Sequence, residues 1–371
     1  MATVPGATRP PLADSPLGRT IETTATDIWN DSCAVDELEY AISYGAVGAT
    51  ANPTIVSDVW KADPAYWRSR VQVLAVERTD ATEVDIAWAV VEEMSLRGAI
   101  LLRTAFERFA GRQGRLSMQT DPTLYRSFDR MLQQGLHFDT LAPNIIVKFP
   151  ATSVGVAVME EATYRGVNVN ATVSFSVAQA VAAAEAVERG LQRREAEGLP
   201  VDRMGPVITL MMGRIEDWLR VVAERDGIVV DPAAFGWSGV AAFKRAYEEF
   251  QRRGLRARLL GAAIRHHLHW SQLIGGDVVI TMPASWQRRF NASDIEVRPR
   301  MDDPVDPAIV RELLDHFPDF RQAYEPDGLT LAEFDTFGPT VRTLRAFIGS
   351  YHELLHQVMD AMLPNPDVRR A

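Results

Sequence analysis

The stretch Asn144-Ile145-Ile146-Val147-Lys148-Phe149-Pro150-Ala151-Thr152 reads as a short buried strand, because a β-branched apolar run stops at a proline. Side chains alternate along a strand, so Ile145, Val147 and Phe149 share one face and Asn144, Ile146 and Lys148 the other. Burying a lysine cation is costly. Desolvation lowers its pKa and frees the amine to attack a carbonyl as a Schiff-base nucleophile. The alternative is a strand-end lysine that snorkels to water or pairs with a carboxylate.

Outward from this stretch, strand-like segments alternate with helical ones. Strands are expected at 26–32, 47–53, 116–122, 144–151, 167–173, 206–213, 258–265 and 277–283. Helical runs fall at 35–44, 81–109, 154–164, 177–192, 240–254 and 266–273. Eight strands alternating with helices predict an α/β fold of the (β/α)8 TIM-barrel class. A doubly wound open sheet is the alternative, but no G-x-G-x-x-G follows the first strand. After a loop rich in Arg, Asp and Pro at 296–307, helical patterns near 307–317 and 337–363 predict additional C-terminal helices. Residues 21–371 are read as one barrel domain and residues 1–20, with four prolines, as a disordered N-terminal tail.

The 371 residues are 47% apolar, ample for a large core. A net charge of −10 argues against a general nucleic-acid surface, which needs clustered Lys and Arg. Cys33 is the only cysteine, so no intrachain disulfide can form, and a reducing cytoplasm fits best. No stretch reaches the ~18 apolar residues of a membrane span.

In a closed barrel one strand face points inward and chemistry sits at the strands' C-terminal ends. The period-two rule turns Ser117, Gln119, Asn168, Asn170 and Thr172 inward. Asp31 ends the first strand, Thr50 and Asn52 the second, Thr209 and Met211 the sixth, Ala263 and Arg265 the seventh. Asp31, Asn52, Gln119, Lys148, Asn170, Thr172, Thr209 and Arg265 could therefore ring one mouth. Some of them could equally cap strands and adjoining helices. An amine there would convert a ketone to an iminium, weakening a carbon–carbon bond two atoms away. Asp31 would exchange the hydroxyl proton. Asn52, Asn170, Thr172 and Thr209 would orient hydroxyls, and Arg265 and Arg214 would grip a phosphate. This chemistry needs no metal.

Gly48-Ala-Thr-Ala-Asn-Pro-Thr54, Ile146-Val-Lys-Phe-Pro-Ala-Thr152, Gly166-Val-Asn-Val-Asn-Ala-Thr172 with Phe175-Ser176 and Gln179-Ala180, and Gly213-Arg-Ile-Glu-Asp-Trp218 resemble the signature stretches of transaldolases. The resemblance implies a (β/α)8 barrel that transfers a dihydroxyacetone unit between sugar phosphates without a cofactor, as in the pentose phosphate pathway. It implies Lys148 as nucleophile, Asp31 as acid/base, Asn52, Asn170 and Thr172 around the substrate, and Arg214 and Arg265 as the phosphate clamp. A homodimer is compatible with it; nucleic-acid and membrane partners are not expected.

Departures from that pattern concern the reaction balance. Transaldolases usually carry a glutamate on the third strand, where this chain reads Gly114-Arg-Leu-Ser-Met-Gln119-Thr-Asp-Pro122. Glutamine can hold a water but does not ionise. Related fructose-6-phosphate aldolases have glutamine there, so cleavage by an aldolase, or a specialised biosynthetic aldolase, is the runner-up. Thr209, Met211 and Ala263 replace the usual serine, aromatic and serine. One rival is a metal-dependent hydrolase using His266 and His269. Another is a non-catalytic barrel that only binds a sugar phosphate or a partner protein.

Overall fold

Eight short parallel strands close on themselves in chain order, β1 through β8, with each neighbour hydrogen-bonded and β8 returning to β1. The structure, a computed structural model, describes residue 12 and residues 14–367. The strands are β1 (Asp27–Asn30), β2 (Gly48–Thr50), β3 (Arg115–Gln119), β4 (Ile145–Pro150), β5 (Val169–Thr172), β6 (Val207–Leu210), β7 (Arg258–Gly261) and β8 (Val279–Met282). The first helices are α1 (Pro16–Thr23), α2 (Val35–Ser43), α3 (Pro53–Ala62), α4 (Pro64–Glu77) and α5 (Glu83–Arg108). Those around the middle strands are α6 (Phe128–Leu141), α7 (Ser153–Tyr164), α8 (Val177–Ala196), α9 (Met212–Asp226) and α10 (Pro232–Arg253). The last are α11 (Leu268–Ser271), α12 (Ala284–Asn291), α13 (Pro307–His316), α14 (Pro318–Tyr324) and α15 (Gly338–Met362). The (β/α)8 barrel and its additional C-terminal helices are as expected from the alternation.

The N-terminal expectation needs a correction. Residues 1–11 and 13 lie outside the described residues, but Pro16–Thr23 form α1 rather than tail. Ser15 Oγ accepts the Gly18 N–H at 3.0 Å and a proline occupies the first turn, a helix start built from side chain and ring. Leu17 and Ile21 are buried.

Two apolar sets follow from the strand period. Ile145, Val147 and Phe149 join the large core between strands and helices. Trp29, Val47, Ile146, Val207, Leu260, Ala262 and Val279 form a separate cluster inside the barrel. Ile146 inside places Lys148, two residues on, on the same inward face one layer nearer the C-terminal mouth. In register, Lys148 lies between Gln119 of β3 and Asn170 of β5.

The seventh strand departs from the expected range. It ends at Gly261, so Leu260 and Ala262 point inward, and Ala263 then turns through φ +63°. Arg265 therefore reaches the mouth from a loop and not from a strand end. The helix expected over 266–273 contracts to the single turn α11.

The opposite end of the barrel is closed by charge. Arg258 Nη1 meets Asp27 Oδ2 at 2.7 Å, and its Nε lies 2.8 Å from Asp277 Oδ1. Gln113 Nε2 also donates to Asp27, at 2.7 Å. Removing one partner of a buried pair leaves an uncompensated charge. Arg258→Leu should lower unfolding free energy by about 3–5 kcal/mol in equilibrium denaturation. A loss below about 1 kcal/mol would show that this plug does not close the barrel.

Candidate active site

At the C-terminal mouth a cleft of about 460 Å³ is lined by Asp31, Asn52, Lys148, Met211, Arg214 and Arg265 among others. Lys148 comes from the middle of the barrel and is almost fully buried. Burial pushes its pKa down to about 8; the Asp31 charge works upward and Arg214 downward. Among the described residues its amine has no hydrogen-bond or ion-pair partner.

A second buried lysine shows what the first is not. Lys244, also held near pKa 8 chiefly by burial, donates to Gln272 Oε1 at 3.2 Å, Arg300 O at 2.7 Å and Asp303 O at 2.6 Å. Its three N–H bonds are all committed, so it pins the segment after β8. Similarly lowered pKa values leave geometry to separate the two, and of the two only Lys148 faces the cleft with an amine that has no partner among the described residues.

Asp31 follows β1 directly. Thr50 Oγ1 donates to its Oδ1 at 2.6 Å, and Thr50 lies 2.9 Å from Thr281 Oγ1. Both threonines point inward from the neighbouring strands, and Thr281 was not among the residues read from sequence. Asn52 serves twice: its Oδ1 accepts the N–H groups of Thr54 and Ile55 and caps α3. Its side chain also lines the cleft.

The remaining polar residues sit on β3, β5 and β6, the first two of which flank the Lys148 strand. Thr209 Oγ1 donates to Asn170 Oδ1 at 2.7 Å, and Asn170 Nδ2 donates to Ser117 Oγ at 2.9 Å. This chain across β6, β5 and β3 locks Asn170 in one orientation. Gln119 borders a smaller cavity of about 20 Å³ shared with Asn52, Ser95 and Tyr351. Gln119 Oε1 and Thr172 Oγ1 are buried without partners among the described residues. Buried polar atoms left open at a site are the ones a bound water or substrate would complete. The cleft thus gathers Asp31, Asn52, Lys148, Arg214 and Arg265, while Gln119, Asn170, Thr172 and Thr209 do not line it; Gln119 and Asn170 flank Lys148 in strand register.

Arg214 is mostly buried, and burial together with Arg265 lowers its pKa. Its Nε is unpartnered among the described residues, and its guanidinium lies over the Phe347 ring. Two arginines held side by side favour an anion between them. Arg265 is itself held by Asp217, with Nη2 at 2.8 Å from Oδ2. Gly213 permits this approach, since a Cβ there would sit 1.9 Å from Ala263 O. Asp217 falls inside the quoted Gly213–Trp218 stretch, yet nothing local pairs it with a residue 48 positions on.

His266 and His269 do come together with Glu216, their ligand atoms within 4.8 Å. Hydrogen bonding argues against a metal there. The Arg265 N–H donates to His269 Nδ1 at 3.2 Å, so in the neutral ring Nε2 carries the proton. Burial foremost keeps that ring neutral, with its pKa near 3. Glu216 Oε1 is occupied by Arg220 at 2.7 Å and Oε2 by His266 at 2.9 Å. The group instead supports the backbone of Arg265.

Comparison with known proteins gives a consistent assignment. A family model described as Transaldolase/Fructose-6-phosphate aldolase matches residues 28–318. A transaldolase of Thiobacillus denitrificans is 33% identical over 56% of this chain and 57% of its own length. One from Mycolicibacterium smegmatis is 26% identical over 65% of this chain and 66% of its own. The match therefore spans less than two thirds of each of these relatives. A transaldolase of Parafrankia sp. is 24% identical over 87% of this chain and 95% of its own length.

The electrostatics at Lys148 have a testable sign. Its amine is largely uncharged above pH 8, against about 10.5 for an ordinary lysine. Competitive labelling with acetic anhydride, read on the Lys148 peptide, should show a midpoint near pH 8. Asp31→Asn removes the charge that raises this pKa, so the midpoint should move lower; an unchanged or higher midpoint would contradict the pairing.

Proposed function

This chain belongs to the transaldolase/fructose-6-phosphate aldolase family, and we propose that it transfers a dihydroxyacetone unit between sugar phosphates through a Schiff base on Lys148. The observation that carries the reading is a buried amine, without a partner among the described residues, opening onto the same cleft as a carboxylate and two arginines. The uncharged Lys148 attacks the C2 carbonyl of a ketose phosphate, and the carbinolamine loses water to give an iminium. Asp31 takes the C4 hydroxyl proton, the C3–C4 bond breaks, and the aldehyde product leaves. Its bonding electrons remain on the three-carbon enamine. Attack on a second aldehyde, with Asp31 returning the proton, reverses these steps, and water releases the new ketose.

Around this chemistry Asn52 and Asn170 orient hydroxyls, and the Asn170 contacts to Ser117 and Thr209 fix it beforehand. Thr172 and Gln119 present open polar atoms for a hydroxyl or the exchanged water. Arg214 and Arg265 hold the phosphate at the far end. A metal and a cofactor have no part in this scheme.

A second reading, cleavage to free aldehyde and dihydroxyacetone, is favoured by Gln119. A neutral side chain there does not relay a proton by ionising. Assaying ketose phosphates with and without an aldose phosphate acceptor separates the two. Product that depends on acceptor supports transfer, and product without acceptor supports the aldolase.

Lys148→Ala should cost roughly 10³-fold or more in turnover with the fold intact; near-normal turnover would refute the mechanism. Asp31→Asn should slow C–C cleavage by roughly 10²–10⁴-fold, far more than it slows adduct formation. Equal slowing of both steps, measured by single-turnover trapping and product release, would remove Asp31 as the acid/base.

A further inference from the structure

Val173, immediately after Thr172, has φ +51°. A β-branched residue in the left-handed region is an energetic outlier and persists only where its surroundings enforce it. Here the side chain is fully buried, so the conformation is not that of a loose loop. The turn is where β5 stops being a strand and where the Thr172 hydroxyl must be presented.

One side chain reaches every part of this turn. Gln179, fully buried in the first turn of α8, accepts the Phe175 N–H on Oε1 at 3.0 Å. Its Nε2 lies 3.1 Å from Ala151 O, 3.4 Å from Val173 O and 3.1 Å from Thr340 Oγ1. Ala151 is three residues past Lys148, and its own N–H donates to Thr172 O at 2.6 Å. The Met211 N–H closes the other side on Ser174 O at 3.0 Å. The ends of β4, β5 and β6 thus meet around one amide, and Thr340 ties them to α15.

We propose that Gln179 is a positioning residue: it holds Val173 in its left-handed conformation and thereby fixes the Thr172 hydroxyl beside the Lys148 strand. It touches neither substrate nor reacting atoms and acts through Thr172 and the end of β4. An amide suits the task because one face accepts while the other donates. Methionine has nearly the same shape and can do neither. The consequence for turnover rests on the Lys148 reading above, whereas the conformational consequence does not.

The test is a crystal structure and steady-state kinetics of Gln179→Met, Val173→Gly and the double variant beside the wild type. In Gln179→Met, Val173 is expected to relax to negative φ, with Thr172 Oγ1 turned from its place. Turnover should then fall roughly 10–100-fold with KM nearly unchanged, the mark of a misplaced group and not of lost phosphate grip. Val173→Gly alone should keep turnover within about threefold, because glycine adopts positive φ without strain. Added to Gln179→Met, it should restore at least part of the lost turnover. A Gln179→Met structure with Val173 still near +50° and Thr172 unmoved would overturn the proposal. So would a loss of turnover that Val173→Gly does not relieve. If Gln179→Met fails to fold, the same geometry is read in Thr340→Val, which removes one of the three acceptors: a shifted Val173 or Thr172 supports the proposal and an unchanged turn overturns it. Displacement of Thr172 in a protein whose wild type shows no aldol turnover would uphold the positioning role and refute only the proposed reaction.

Discussion

The cost of burying one ammonium group organises this protein. Lys148 lies in a layer bounded below by the apolar interior of Trp29, Ile146, Val207, Leu260 and Val279. Such surroundings penalise the charged form, and the Asp31 charge only partly offsets the penalty. The barrel's closed register is what makes the penalty hold. With neighbours on both sides and helices outside, a side chain on the fourth strand has no path to bulk solvent except the mouth.

Around that amine the protein spends its polar groups in two ways. Some are locked to one another before any ligand arrives, as in the Ser117–Asn170–Thr209 chain and the Thr50–Asp31 pair. Others have no partner among the described residues: Gln119 Oε1, Thr172 Oγ1 and Arg214 Nε. Preorganised dipoles beside unsatisfied ones are the arrangement in which binding energy goes into orientation and not into rearranging the site. The arginine side of the cleft follows the same rule. Arg265 is braced by Asp217 through its guanidinium and by His269 through its backbone, so its position is set in advance.

Much of this was legible in the chain because period two governs strands. Lys148, Asn170, Thr172 and Thr209 alternate with apolar neighbours, and the inward cluster containing Ile146 and Val207 obeys that spacing. Where the period breaks, the reading fails. Ala263 turns at φ +63°, so extending the seventh strand to Arg265 carried the alternation past its end. α1 was hidden by a proline-rich composition whose Ser15-Pro16 step is a helix start and not a sign of disorder. Asp217 and Thr281 carry no local signal of their roles, since their partners are brought near only by closure of the barrel.

Two lysines share the depressed pKa, and only one of them has an amine without a partner among the described residues, which makes the choice between them the sharpest question that can be put to the protein. The direct measurement is borohydride reduction in the presence of fructose 6-phosphate, followed by mass spectrometric mapping of the modified peptide. The account predicts a single reduced adduct on Lys148 and none on Lys244. An adduct on Lys244, or no adduct on any lysine across a range of ketose phosphates, would contradict it.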